Sequence, residues 1–146
     1  VQVLRDIALL FGRTGFGLLM IMHGVRRFFL EGMDAQTAYL QAVGLPQPLL
    51  FAYGAVVLEI VGGFLIVIGW LTPLVAAVFV VEFGLAIAWT TYFRGPWVAD
   101  GGWEYHAALI AFALVLIGAG AGRASVDGAR VSRRRRREEA DSDLTS

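Results

Sequence analysis

Residues 49–93 read LLFAYGAVVLEIVGGFLIVIGW, then a single Leu71, then TPLVAAVFVVEFGLAIAWTTYF. Glu59 and Glu82 are the only charged side chains in this stretch. A transmembrane helix needs about 20 mostly apolar residues, and each half satisfies that length. Neither half alternates with period two, so a strand reading fails. In lipid an open sheet would also leave its edge hydrogen bonds unmade. Pro73 suits the first turn of a helix, where a missing N–H costs nothing. Leu49–Trp70 and Thr72–Phe93 are therefore expected to form a tight antiparallel helical hairpin.

Outward from the hairpin, two more spans are expected: Ile7 to Phe28, and the shorter Tyr105 to Ala121. Hydrophobic residues make up 58% of the 146-residue chain and the mean hydropathy is +0.68. Soluble domains average about 45–50% apolar residues, so the excess here does not fit one small soluble core. The fold class is thus all-α, a four-transmembrane-helix bundle over residues 1–127. Between the first two spans, Met33, Ala38, Tyr39, Leu40 and Val43 offer the apolar face of a short interfacial helix in the first external loop. Residues 128–146 are polar, carry Arg133–Arg137 followed by acids, and are expected to be a disordered charged tail. The first span is not read as a signal peptide. Arg13 interrupts it, Arg26 and Arg27 close it, and no small-x-small cleavage site follows.

Four spans put both termini on one side. That side holds Arg5, Arg13, Arg123, Arg130 and Arg133–Arg137, against Arg26, Arg27 and Arg94 on the other. Positive-inside bias places both termini in the cytoplasm, with the lipid bilayer as the first partner. The acids after the Arg run dilute its charge, so no nucleic-acid role is expected.

Ionisable groups inside a span are costly and mark functional candidates. With a rise of about 1.5 Å per residue, Glu59 and Glu82 fall near the midplane, and His23 lies about 8 Å outward of it. Arg13 lies similarly far toward the cytoplasm. His106 and Glu104 sit at the outer surface. Side chains lean toward the N-terminus of their own helix, which suggests two pairs, Glu59–His23 and Glu82–Arg13. Such groups either lock a bundle or carry chemistry, and their types and depths leave both open. A carboxyl beside an imidazole can pass protons or hydrogen-bond a quinone carbonyl. Ala55, Gly62 and Gly63 frame Glu59 with small residues that permit close helix approach.

Other chemistries find little support. The sequence has no cysteine, which removes disulfides, iron–sulfur clusters and thiol relays. His23 and His106 lie at different depths, unsuited to a shared haem. The glycines of 118–122 end a membrane helix, with no βαβ unit around them to make a dinucleotide site. No Ser-His-Asp arrangement stands out, and no metal site is expected.

Several motifs resemble a known family. Leu58-Glu59-Ile60-Val61-Gly62-Gly63, followed by Gly69-Trp70-Leu71-Thr72, is similar to the L-E-x-x-G-G segment and G-x-L-T hairpin of the DoxX family of small bacterial membrane proteins. His23-Gly24 with Arg27 looks like the end of that family's first helix, and Tyr39 with Gly44-Leu45-Pro46 like its loop. Gly101–Tyr105 resembles the start of its fourth helix, and Gly120–Asp127 its closing G-P-G-R-x-S-x-D. The resemblance covers residues 5–127. Ala121 departs from the pattern, as does Trp89-Thr90-Thr91, where many relatives carry a histidine. Glu82 lies outside the pattern. The resemblance implies a four-helix subunit of the bacterial cytoplasmic (inner) membrane. Some relatives are linked to quinone-dependent thiosulfate oxidation and others to assemblies that handle oxidative or thiol stress. The expected function is a subunit of a quinone-linked oxidoreductase complex, with protein partners and a quinone near Glu59 and His23. The alternatives are a non-catalytic anchor, assembly factor or scaffold, and a small proton-coupled transporter. Whether the chain is itself an enzyme is left open by its residues.

Overall fold

A computed structural model describes residues 2–144, and among them every regular element is helical. Helix α1 spans Gln2–Glu31, α2 Met33–Ala42, α3 Pro48–Ile68, α4 Thr72–Arg94, α5 Glu104–Ala119 and α6 Val126–Leu144. Helices α1, α3 and α4 are long and apolar enough to cross a membrane. The 16 residues of α5 are apolar but reach only about 24 Å at the helical rise. Together α1, α3, α4 and α5 pack as a bundle.

Local chemistry sets the helix ends. Pro48 and Pro73 occupy first turns. Gly69, at φ 71°, closes α3 in the left-handed conformation, and the Trp70 N–H donates back to the Leu65 carbonyl at 3.0 Å. Leu71 also takes a positive φ, 53°. Its strain is offset from the far end of the chain. The Asp127 carboxylate accepts the N–H groups of Leu71 at 3.1 Å and Thr72 at 3.2 Å, capping α4, while the Asp127 N–H donates to the Gly69 carbonyl.

Without a hydrophobic drive between helices in lipid, association rests on close packing and buried hydrogen bonds. The tightest crossing joins α1 to α3. A Cβ on Gly17 would lie 2.5 Å from the Gly63 carbonyl oxygen, and one on Gly63 would lie 2.7 Å from that of Gly17. Two turns further along α1, Gly24 lies against Glu59 and Ile60. Phe16 anchors the other side of the core, edge-on to Phe79 and stacked on Phe112, both at 5.5 Å between centroids. Met20, Ile66, Ala76, Phe83, Ala113 and Leu116 complete it.

The short helix expected between the first two spans is α2: its Leu40 is buried with Leu45 and Ala52 of α3, Met33 and Val43 pack against them, and Tyr39 stays exposed. This small core covers one end of the bundle, here termed the α2 end. Residues Val126–Leu144 form α6. The Ser125 hydroxyl accepts the Gly128 N–H at 2.9 Å at its start, and Arg134 pairs with Glu138 one turn on at 2.8 Å. The Arg130 guanidinium also sits 5.4 Å from the centre of the Trp70 ring. Residues 145 and 146 lie outside the described residues.

Gly63→Val is expected to lower stability by about 1–3 kcal/mol through overpacking at this crossing. Gly54→Ala, whose Cβ meets nothing within 4 Å, should leave the midpoint unchanged or raise it. Thermal unfolding in detergent checks both, and equal midpoints for the two variants would contradict the crossing. Asp127→Ala should cost about 1 kcal/mol in the same assay by uncapping α4.

Candidate functional site

The glycine crossing fixes the rotation of α1 against α3, and a polar cavity lies beyond it toward the α2 end. Its volume is about 650 Å³. All four bundle helices and α2 contribute: His23, Arg26, Arg27 and Glu31 from α1, Gln36 and Tyr39 from α2, Glu59 from α3, Glu82, Thr90 and Thr91 from α4, and Tyr105 and His106 from α5. Met20, Gly54 and Leu, Val, Phe and Ala side chains make up the rest of the wall.

Of the residues singled out from sequence, Glu59, His23, Glu82 and His106 meet in this cavity. Arg13 and Glu104 do not line it. The proposed direct pairs are not formed. Glu59, only 2% exposed, takes Arg27 as its partner, with Nη1 at 3.0 Å from Oε1. His23 Nε2 is hydrogen-bonded to the Tyr105 hydroxyl at 2.9 Å. Arg13 serves the opposite end of the bundle, where its guanidinium donates to the carbonyls of Ala121 at 2.6 Å and Ala124 at 2.9 Å. Depth and lean had set the levels of these groups but not their rotation about each helix axis. Glu104 accepts the Val98 N–H at 2.7 Å and holds the loop before α5.

Arg27 and Tyr105 were missed as site residues. In the sequence Arg27 reads as the basic end of the first span, yet it follows His23 by four positions and so shares its face. Tyr105 carried no signal until α5 was placed beside α1.

Two further features mark the cavity. Eight buried side-chain polar atoms among the described residues lack a hydrogen-bond partner. Four of them, Glu59 Oε2, Glu82 Oε2, Thr91 Oγ1 and His106 Nδ1, belong to side chains that line it. Buried polar atoms are nearly always paired, so this concentration calls for a ligand or ordered water. The second feature is backbone geometry. Each of the three long helices widens into a π turn, at Arg26–Glu31, Leu58–Gly62 and Ile87–Thr91, and each turn supplies cavity residues. Such turns concentrate at functional sites. The departure from the family pattern at Trp89-Thr90-Thr91 falls in the last of them, so hydroxyls stand on this part of the wall.

A second hollow, about 950 Å³, lies at the other end between Arg5, Leu74, Arg123 and Val131. It contains none of the midplane groups, and its one lining acid, Asp127, is engaged in capping α4.

The sequence model of the DoxX family matches residues 8–92. This chain belongs to the DoxX family. The match takes in α1, α2, α3 and most of α4, and stops short of α5. A Bacillus subtilis (strain 168) protein, CatD, named as a candidate oxidoreductase, is 27% identical over 113 residues, covering 77% of this chain and 81% of its own. The inner membrane protein YphA of Escherichia coli (strain K12) is 34% identical over 76 residues, covering 52% of this chain and 53% of its own. No solved structure matches the chain. Family membership and the apolar helices together establish a membrane protein.

Removing Arg27 would strand the Glu59 carboxylate. Loss of one partner from a buried ion pair costs about 3–5 kcal/mol, and the partial exposure of Arg27 brings the expected cost of Arg27→Gln to about 2 kcal/mol. The double variant Arg27→Gln, Glu59→Gln should recover most of that loss. Additive losses in thermal unfolding would show that the two side chains do not interact.

Proposed function

We propose that this DoxX-family chain is the membrane subunit of a quinone-linked oxidoreductase complex, and that the cavity at the α2 end receives the quinone head group. The observation that carries this reading is the set of unpartnered polar atoms on side chains that line a cavity of mixed polar and apolar wall. A cavity of about 650 Å³ falls within the usual range for small-molecule sites. A quinone head is flat and presents two acceptor oxygens. The wall offers matching donors in the Arg27 guanidinium and Tyr105 hydroxyl, with imidazoles at His23 and His106. The name of the CatD relative, which describes a candidate oxidoreductase, supports the same reading.

A bound quinone would supply two-electron, two-proton redox chemistry. The residues of this chain bind and handle protons. Arg27 holds Glu59 Oε1 and leaves Oε2 free toward the site. Glu82 and His106 offer further proton-accepting atoms on the facing helices. Tyr105 orients the His23 ring through their hydrogen bond. Arg26, Glu31 and Gln36 form a polar route from the cavity toward water at the α2 end. With no cysteine in the sequence, electron delivery falls to a partner protein. The Arg distribution supports an orientation with the α2 end outside and both termini in the cytoplasm, in the bacterial inner membrane.

Detergent-purified protein should carry quinone at near-stoichiometric amount, quantified by liquid chromatography and mass spectrometry. Glu59→Gln and Glu82→Gln should each lower that amount by about tenfold, roughly 1.4 kcal/mol of binding. Wild-type protein that is folded yet free of quinone would defeat the reading and favour a non-catalytic anchor or scaffold.

A further inference from the structure

Three of the four seams around the cavity are closed by direct contact. The α1–α3 seam is held by the Arg27–Glu59 ion pair and by Gly24 against Glu59. His23 and Tyr105 join α1 to α5. Phe83 and His106 pack α4 on α5, with ring centroids 6.2 Å apart.

The α3–α4 seam differs. The two helices are tied at the Gly69–Leu71 hairpin and still touch where Gly62 meets the Phe79 ring, 3.2 Å from a Cβ placed on the glycine. Toward the α2 end, side chains of both helices line the cavity and also face outward. Leu50 is 68% exposed and Phe51 37% on α3, and Val81 is 61% exposed on α4. Gly54, also a lining residue, is exposed, with open space where a side chain would stand. The cavity therefore has an apolar mouth between α3 and α4, on the lateral surface of helices long and apolar enough to lie in a bilayer.

A water-soluble ligand gains nothing from such a mouth. A polar-headed amphiphile with one long apolar tail gains a place for each part. We infer that the site takes a long-tailed isoprenoid quinone directly from the bilayer, its head reaching the Arg27–Glu59 level and its tail leaving between α3 and α4. This inference rests on the quinone reading above and adds the route and the tail.

The test uses the full chain in lipid nanodiscs and two photoreactive azidoquinones, one with a long isoprenoid tail and one with none. Labelling of cavity peptides is quantified by mass spectrometry. Gly54→Phe plugs the mouth at a position with room for a side chain, and Val81→Trp plugs it from the opposite lip. Either variant that retains the wild-type unfolding midpoint decides the matter. Labelling by the tailed probe should fall by about tenfold in the plugged protein, while labelling by the tail-less probe stays within about twofold. Unchanged labelling by the tailed probe would overturn the lateral route while leaving the quinone site standing. An equal loss of both probes would also overturn it, because these residues would then belong to the head-group site. Failure of both probes to label wild-type cavity peptides would overturn the quinone reading and the route together, and failure of the tailed probe alone would overturn the route.

Discussion

The close approach of α1 and α3 at Gly17 and Gly63 is the constraint on which the site depends. Each glycine presents its backbone to the other's carbonyl oxygen, at distances that exclude any side chain. That approach fixes the rotation of α1 relative to α3. On the same face, one turn beyond Gly24, Arg27 then reaches Glu59 and forms a buried ion pair. A wider crossing would leave the Glu59 carboxylate with neither a partner nor water, a costly state in a low-dielectric interior. Packing of the smallest residues thus determines where the largest charges can sit.

The opposite end is built differently and explains why the cavity occurs at one end only. Arg13, buried within α1, spends its guanidinium on the carbonyls that follow α5, next to Gly69. Asp127 caps α4 and binds the Gly69 carbonyl. These bonds tie the beginning of the chain, its central hairpin and the segment after α5 into one knot. The hairpin allows no separation of α3 and α4 there. At the α2 end the two helices have no comparable tie, and the space between them is lined by groups with unmet hydrogen-bonding capacity. A rigid base and an open, polar upper half suit a protein that admits a small molecule from the membrane.

Much of this was legible in the residues. Apolar runs located the long helices to within a few positions, because lipid tolerates only backbones that satisfy their own hydrogen bonds. Glu59, His23, Glu82 and His106 stood out because ionisable groups are rare in such runs. Their partners were not legible. A rise per residue gives depth, whereas partner choice depends on rotation about the helix axis. The π turns at Arg26–Glu31 and Leu58–Gly62 change that rotation by fitting an extra residue into a turn.

By itself the sequence determined the membrane class, the helical spans, the tight hairpin and the family, all of which follow from local hydropathy, turn chemistry and motif order. Only the tertiary structure decided that Arg27 rather than His23 holds Glu59, that Arg13 and Glu82 serve opposite ends, and that α2 caps the bundle. It also decided that the α3–α4 seam stays open. Each of these depends on side chains far apart in the chain meeting at a particular rotation, and that rotation is set by the glycine crossing: the small residues around Glu59 signal a close approach, but not that Gly17 is the partner.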